Sequence, residues 1–574
     1  MIQASDGKTT TMDDATPTEL RAPDPRRWIT LVIILSAVLI AALDTTVLNV
    51  AIPTILRDFH TTLPKLQWVI TGYSLTFAAL LIIGGRLADI HGPRTIFMIG
   101  AALFAVGSLV AALSTGVVSL VVGEAIIEGI GASLMLPATL GLLSSTFQGR
   151  ERATAFAAWG AVMGAAVALG PLLGGFLTTN YSWRWAFVIN VIIAPTAIIG
   201  ALIFMREPPR SGRRERIDVP GALLISSGML LLVFGISEGS TYGWWRPMST
   251  FTVAGLELWP TDRPVSVVPV AFLLSALLLT AFVRVELTKE RAGRDPLFEF
   301  SNLRRRGFRY GLATLVVLAM GQTSFLLVIS VLLQDGRHLS ALDTGLWLVP
   351  SGVFIVIGAQ VGARLTRRIG TTNVVRAGLA LEALGLGVTA VVIGPTVGFA
   401  ALQPGFALFG LGIGFAGSQL TNVILSDVEP EQSGAASGAN STVRMIGNSL
   451  GVAIMSALLS VFTIRHAVDG VRTAPGLSDG VRTHALTLIQ RGGVSFRPPA
   501  GTSPHELAVL ARTLGDAIAT AARTPLFAAT GLVTVGLLIS FLIPPVVLPA
   551  GAGADELLEE EQEAELMAEA VALH

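Results

Sequence analysis

Apolar residues along this chain gather into long stretches, each broken by a short polar or basic segment. An α-helix needs about 20 mostly apolar residues to cross the hydrocarbon core of a bilayer. Fourteen stretches meet that length, near 28–52, 66–85, 95–113, 117–143, 153–178, 184–205, 219–237, 267–284, 310–333, 342–363, 373–393, 400–425, 436–463 and 524–547. The seventh and eighth form a central pair between two sets of six. The pattern predicts an all-α polytopic membrane protein in five parts: a disordered cytoplasmic tail (1–27), an N-terminal six-helix bundle (28–205), the central pair and its loops (206–309), a C-terminal six-helix bundle (310–547) with a long outer loop (465–523), and an acidic cytoplasmic tail (548–574). Within the outer loop, His505 to Arg523 has apolar residues at helical spacing and reads as a surface helix.

Composition makes the membrane reading hard to avoid. Of 574 residues, 52% are hydrophobic and 14% charged, against roughly 25% charged in soluble domains. No cysteine is present, which removes disulfides, thiolate zinc sites and iron–sulfur ligation. The seven histidines form no metal-binding spacing. No GxxxxGK[ST] loop occurs, so ATP-driven pumping is not expected. The net charge of zero leaves no nucleic-acid footprint. No signal peptide is apparent before the first helix. Basic residues crowd one set of loops (Arg86 and Arg94; Arg150 and Arg152; Arg206, Arg210, Arg213, Arg214 and Arg216; Arg304, Arg305 and Arg306; Arg364, Arg367 and Arg368), and the opposite loops at 114–116, 179–182 and 394–399 carry almost none. The positive-inside rule then places both termini in the cytoplasm.

A few polar residues interrupt the apolar helices. Asp44 lies late in the first, and a carboxylate there costs several kcal/mol unless protonated, paired or hydrated. It reads as a proton or cation site, against a structural hydrogen bond or a wet position near the surface. Glu124 and Glu128 are four apart in the fourth helix, so they share a face at about the depth of Asp44. Glu382 in the eleventh helix and Arg444 in the thirteenth are expensive against lipid and are expected to face the bundle interior. Gln322, Gln360, Gln419 and Asn422 read as interhelical hydrogen-bonders or cavity groups. Arg376 reads as a snorkelling side chain, and Trp183, Arg184 and Trp185 as an interfacial aromatic belt. Gly160, Gly164, Gly170, Pro171, Gly174 and Gly175 allow the fifth helix to bend and to approach its neighbours closely. Gly84 to Gly92 and Gly362 to Gly370 occupy equivalent places after the second and tenth helices. They form a faint internal repeat of the kind seen in two-halved transporters.

These motifs resemble the fourteen-helix drug:proton antiporters of the major facilitator superfamily, from about Trp28 to Val547. The most specific match is Leu43-Asp44-Thr45-Thr46-Val47-Leu48-Asn49-Val50-Ala51-Ile52-Pro53. Gly85-Arg86-Leu87-Ala88-Asp89-Ile90-His91-Gly92-Pro93-Arg94 resembles the family's loop motif, and Gly170-Pro171-Leu172-Leu173-Gly174-Gly175 its fifth-helix antiporter motif. Ser182 to Asn190 and Gly434 to Gly451 are similar to two further family segments. The resemblance implies the major facilitator fold, two six-helix bundles around a central cavity with two extra helices outside it. It implies Asp44 as the proton-linked acid, a latch of Arg86, Asp89 and Arg94, and closure governed by Gly170, Pro171, Gly174 and Gly175. Asn190, Gln322, Glu382, Gln419, Asn422 and Arg444 would supply polar cavity groups. The chain departs from the family pattern at Ala125, where the fourth-helix motif has an arginine that assists proton transfer; either Glu124 or Glu128 substitutes for it, or the coupling is altered. The expected function is proton-coupled export of amphipathic drugs, cationic ones included, from the cytoplasm of a bacterium by a monomer without metal or cofactor. An exporter of an endogenous lipid, siderophore or antibiotic, or a non-transporting scaffold, are the alternatives.

Overall fold

The computed structural model describes residues 25–545, apart from 62, 148, 208–217, 254–255, 295, 427, 429–432 and 493–501. The acidic C-terminal tail, most of the N-terminal tail and Arg210, Arg213, Arg214 and Arg216 lie outside the described residues.

Every backbone amide and carbonyl inside an apolar medium must find its partner within the chain, and helices meet that demand segment by segment. The first set of six comprises α1 (Arg27–Asp58), α2 (Leu63–His91), α3 (Pro93–Ala112), α4 (Val117–Thr146), α5 (Gly149–Asn180) and α6 (Trp185–Phe204). The central pair is α7 (Val219–Tyr242) and α8 (Val267–Arg291), joined through the short antiparallel strands β1 (Phe251–Val253) and β2 (Leu256–Trp259). Next come α9 (Arg306–Gly336), α10 (Ala341–Ile369), α11 (Thr371–Val392), α12 (Phe399–Ser426), α13 (Ser433–Thr473), α14 (Asp479–Gly492), α15 (Pro504–Ala521) and α16 (Arg523–Ser540). The fourteen predicted stretches all lie on helices, namely α1 to α13 and α16. The last one ends at Ser540, short of the expected 547, and the chain turns at Phe541.

The two sets of six pack by the same rule. In the first, α1 meets α5 and α6, α2 meets α4, and α3 meets α4 and α6. In the second, α9 meets α13 and α16, α10 meets α12, and α11 meets α12 and α16. The correspondence extends to single glycines. Gly92 and Gly370, which end the repeated loop segment, both take left-handed backbone (φ 94° and 81°). At equal distances beyond them, Gly100 and Gly107 on α3 lie against the backbone of α4, and Gly378 and Gly385 on α11 against that of α12. The central pair leans on α2 and α13, one helix from each set.

The segment expected as a long outer loop is mostly helical. α13 has 41 residues, about 60 Å at ~1.5 Å per residue, twice the bilayer core of about 30 Å. Its far part packs with α14 and α15 around Ala467, Val471, Ala474, Ile489, Leu510 and Ala517. The expected surface helix is α15, opened by a capping box of Ser503 and Glu506. Gly515 of α15 approaches the carbonyl of Gly336 at the end of α9. This appendage therefore belongs to the second set. Arg376 does not snorkel: it donates to the carbonyls of Ser540 and Ile543 and ties α11 to the end of α16.

The glycine contacts predict a contrast in stability. A side chain at Gly385 starts 2.3 Å from the Phe409 backbone nitrogen, whereas Gly531 has nothing within 4 Å. Gly385→Leu is expected to cost about 1–3 kcal/mol or to prevent folding, and Gly531→Ala to be neutral, as read by thermal unfolding of the purified proteins.

Candidate functional site: a buried acidic cluster

The segment around Asp44 lies flush against α5. A side chain at Gly170 would overlap Thr46, and one at Gly174 would start 3.1 Å from the Cα of Val47. Thr46 turns its hydroxyl back to the carbonyl of Leu43, 2.8 Å away. Gly175, by contrast, meets Leu342 of the other set at an ordinary 3.6 Å. Close backbone approach at the first two positions turns Asp44 inward, where it is 4% exposed.

Glu124 and Glu128 are buried as well. They do not lie on a plain α-helical turn. Val121–Glu128 forms a widened π stretch within α4, a feature often found at functional sites. One carboxyl oxygen from each of Asp44, Glu124 and Glu128 lies within 4.8 Å of the others. The Asn190 amide, from α6, donates to Asp44 Oδ1 at 2.9 Å and to Glu128 Oε1 at 3.3 Å. The Ser108 hydroxyl of α3 also donates to Glu128 Oε1. The Tyr73 hydroxyl of α2 lies within electrostatic reach of all three acids. Five helices thus meet at one point.

Among the described residues no arginine or lysine pairs with the three acids. Asp44 Oδ2, both oxygens of Glu124 and Glu128 Oε2 are buried without a hydrogen-bond partner. The absent family arginine has a steric counterpart: a Cβ on Gly72 of α2 would stand 2.8 Å from that of Ala125, leaving no room there for a long side chain. Two ionised carboxylates at this spacing repel by roughly 3–4 kcal/mol at an effective dielectric of about 20. The cluster therefore holds protons or a cation in place of full ionisation. An oxygen-only donor set of this kind also suits a hard metal ion.

The loop motif divides its work. Gly84 faces α4 of its own set, and Gly85 faces Gly434 of α13, so α2 wedges between them. Asp89 accepts from the amides of Gly434 and Ala435 at 2.6 and 2.8 Å, capping the first turn of α13 across the two sets. Arg94 stays within its own set and donates to the carbonyls of Ala201 and Leu202. Arg86 is buried and has a partner. Glu207, which the sequence did not single out, accepts from the Arg94 and Thr95 amides and caps α3. Together with Ala157 and Ala161 on Ala359 and Ala363 and Gln419 donating to the Ala153 carbonyl, these contacts join the two sets at the basic end.

The remaining predicted residues scatter. Glu382 is enclosed within the second set beside Gly321, Gly412 and Val533. Gln322 and Asn422 are half-buried on α9 and α12, and Gln360 is exposed. Arg444 donates to Thr421 at 3.2 Å and lies over Trp159 of the first set. Nothing is described of the Pro171 side chain. Trp183 is no belt residue: it is 1% exposed, donates to Asp58 at 2.8 Å and carries the Arg184 guanidinium on its ring. Ser108 and Tyr73 escaped sequence reasoning because one serine or tyrosine in an apolar run carries no charge to betray it.

Comparison with known proteins agrees with the fold. Residues 34–452 match the family described as the Major Facilitator Superfamily. The chain is 35% identical over 481 residues to the probable actinorhodin transporter of Streptomyces coelicolor, covering 82% of this chain and 78% of that one. It is 32% identical to the puromycin resistance protein of Streptomyces alboniger, covering 83% and 90%. It is 30% identical to the tetracenomycin C resistance and export protein of Streptomyces glaucescens, covering 83% and 84%. The crystal structure of the human organic anion transporter MFSD10 superposes with a TM-score of 0.55 at 15% identity, over 90% of this chain and 100% of that one, a likeness of fold alone.

Two substitutions test the site's framework. Gly170→Ala is expected to cost about 1–3 kcal/mol by forcing α5 off α1, while Gly175→Ala leaves thermal stability unchanged. Asp89→Ala removes both bonds to α13. Because the chain has no cysteine, a thiol placed at Ser437 is the only one present. Its labelling by a polar maleimide should rise severalfold in Asp89→Ala, and equal labelling would show that the cap does not hold the basic end shut.

Proposed function

Since the chain belongs to the Major Facilitator Superfamily and is a multi-pass membrane transporter, not an enzyme, we propose that it exports amphipathic, antibiotic-like molecules across the bacterial cytoplasmic membrane by proton antiport. The observation that carries this reading is the cluster of Asp44, Glu124 and Glu128. Three acids at one buried point without a counter-cation bind and release protons as their surroundings change.

The geometry supports the following cycle. By the positive-inside rule the basic end faces the cytoplasm, with both termini on that side. In the conformation described, Asp89 and the glycine contacts of α2 with α13 join the halves at that end. Protons enter the cluster from outside and reduce its internal repulsion. Their loss to the cytoplasm restores charge, which Asn190 and Ser108 stabilise by donating to Asp44 and Glu128. Asp44 sits where α1 meets α5, and α5 also packs on α10 and α12 of the second half. A change of charge at Asp44 therefore acts on a helix that touches both halves. Latch and cluster reside in one chain, so a monomer suffices.

The named roles of the relatives support an antibiotic-like cargo, either taken up from outside or made by the cell itself. Everted membrane vesicles test the proton coupling. With the vesicle interior made acid, so that protons leave as dye enters, the wild type should accumulate an amphipathic dye and lose it on addition of a protonophore. Asp44→Asn should reduce the rate at least tenfold, and Glu128→Gln severalfold. Equal rates in wild type and Asp44→Asn would remove the cluster from the coupling path. Rates that follow sodium or magnesium in place of the proton gradient would assign it to a cation.

A further inference from the structure

We propose that Arg444 forms the anchor of a site for an anionic group on the transported molecule, and that the preferred cargo is an amphipathic organic acid. The proposal takes from the exporter reading only the direction of transport.

Arg444 projects from α13 and is half-buried. Its Nη2 donates to Thr421 Oγ1 at 3.2 Å, and its guanidinium carbon stands 5.9 Å from the ring centroid of Trp159. Its Nε is buried with no hydrogen-bond partner among the described residues. Among the described residues no carboxylate pairs with it. One turn earlier on the same face of α13, Asn440 is fully buried and neither its amide nitrogen nor its oxygen has a partner. Thr421 and Arg444 belong to the second half. Trp159 belongs to the first, held by a bond from Nε1 to Thr139 at 3.3 Å. The group therefore straddles the seam between the halves, apart from the acidic cluster inside the first half.

Leaving a buried guanidinium edge and a whole side-chain amide unpaired is costly. The cost is tolerable if these atoms find partners in another stage of the cycle. In the conformation described, the seam is shut at the basic end by Asp89 of α2, which accepts from the start of α13, and Gln419 of α12, which donates to Ala153 of α5. Parting the halves at that end uncovers the group to the cytoplasm, where cargo is collected. The exposed Arg444 edge then offers the paired N–H geometry that a carboxylate or phenolate accepts. Asn440 adds a further donor, and Trp159 supplies a flat apolar face for a ring. A cationic drug would meet a like charge here. The acids that would attract it are packed between α1, α4 and α6.

Binding of 1-pyrenebutyrate and of its neutral primary amide to the purified full-length protein in nanodiscs separates charge recognition from apolar recognition. The wild type is expected to bind the acid about tenfold or more tightly than the amide, corresponding to one charge-assisted bidentate contact. Arg444→Gln should bring the acid to the affinity of the amide, and Arg444→Lys should fall between them. Trp159→Ala should weaken both probes alike. Equal binding of acid and amide by the wild type, no binding of either, or an acid preference that survives in a folded Arg444→Gln protein would each overturn the proposal. Proton-driven movement is measured separately in proteoliposomes. Acid binding that depends on Arg444 without movement would defeat the exporter reading and leave this site standing. Proton-driven movement of a cationic dye without acid preference would do the reverse.

Discussion

An ionised group in an apolar medium must find a partner, lose its charge or meet water, and this chain brings together three carboxyls with which, among the described residues, no arginine or lysine pairs. Much of the first half is shaped around that condition. Gly170 and Gly174 bring α5 against the segment of Asp44, a π stretch in α4 sets Glu124 and Glu128 toward it, and Asn190 and Ser108 donate to two of the three acids. Gly72 against Ala125 removes the volume that a balancing arginine would need. The donors stabilise a partly ionised cluster and fall short of neutralising a fully ionised one.

Backbone contact at glycine is what lets helices act on one another over such short distances. Gly100 and Gly107, and their counterparts Gly378 and Gly385, bind the third and fourth helices of each half into a rigid pair. Gly84 and Gly85 let α2 touch both halves from adjacent positions, with Asp89 capping α13 a turn later. Within a half, glycines make stiff units. Between halves, a charged cap and small-residue contacts make the junction. That division between rigid bodies and a separable seam is what alternating access requires.

The halves share their packing and differ in charge. The first gathers its acids inward. The second presents Arg444 at the seam and encloses Glu382 between α9, α12 and α16. Like packing with unlike polar residues gives the halves different chemistry, a buried acidic cluster in one and a guanidinium at the seam in the other. The appendage of α14, α15 and the far part of α13 packs on the second half, with Gly515 against Gly336.

Hydropathy by itself determined the fourteen helices and their order as six, a central pair and six, and the glycine-bounded loop segments after the second and tenth showed the internal repeat, because apolar length and short motifs are local properties written in order along the chain. It also singled out Asp44, Glu124 and Glu128, since a charge in an apolar run stands out wherever it occurs. Other features depended on which faces meet. Tertiary structure alone joined the three acids to Ser108, Tyr73 and Asn190, put Asp89 on the amides of α13 and kept Arg94 within its own half. It buried Trp183, which the local pattern had placed at the interface, against Asp58 and Arg184. It enclosed Glu382 in its own half and set Arg444 between both. Spacing along a helix gives a side chain's direction but not what waits there, and in these helices the energy of a polar group is decided by that neighbour.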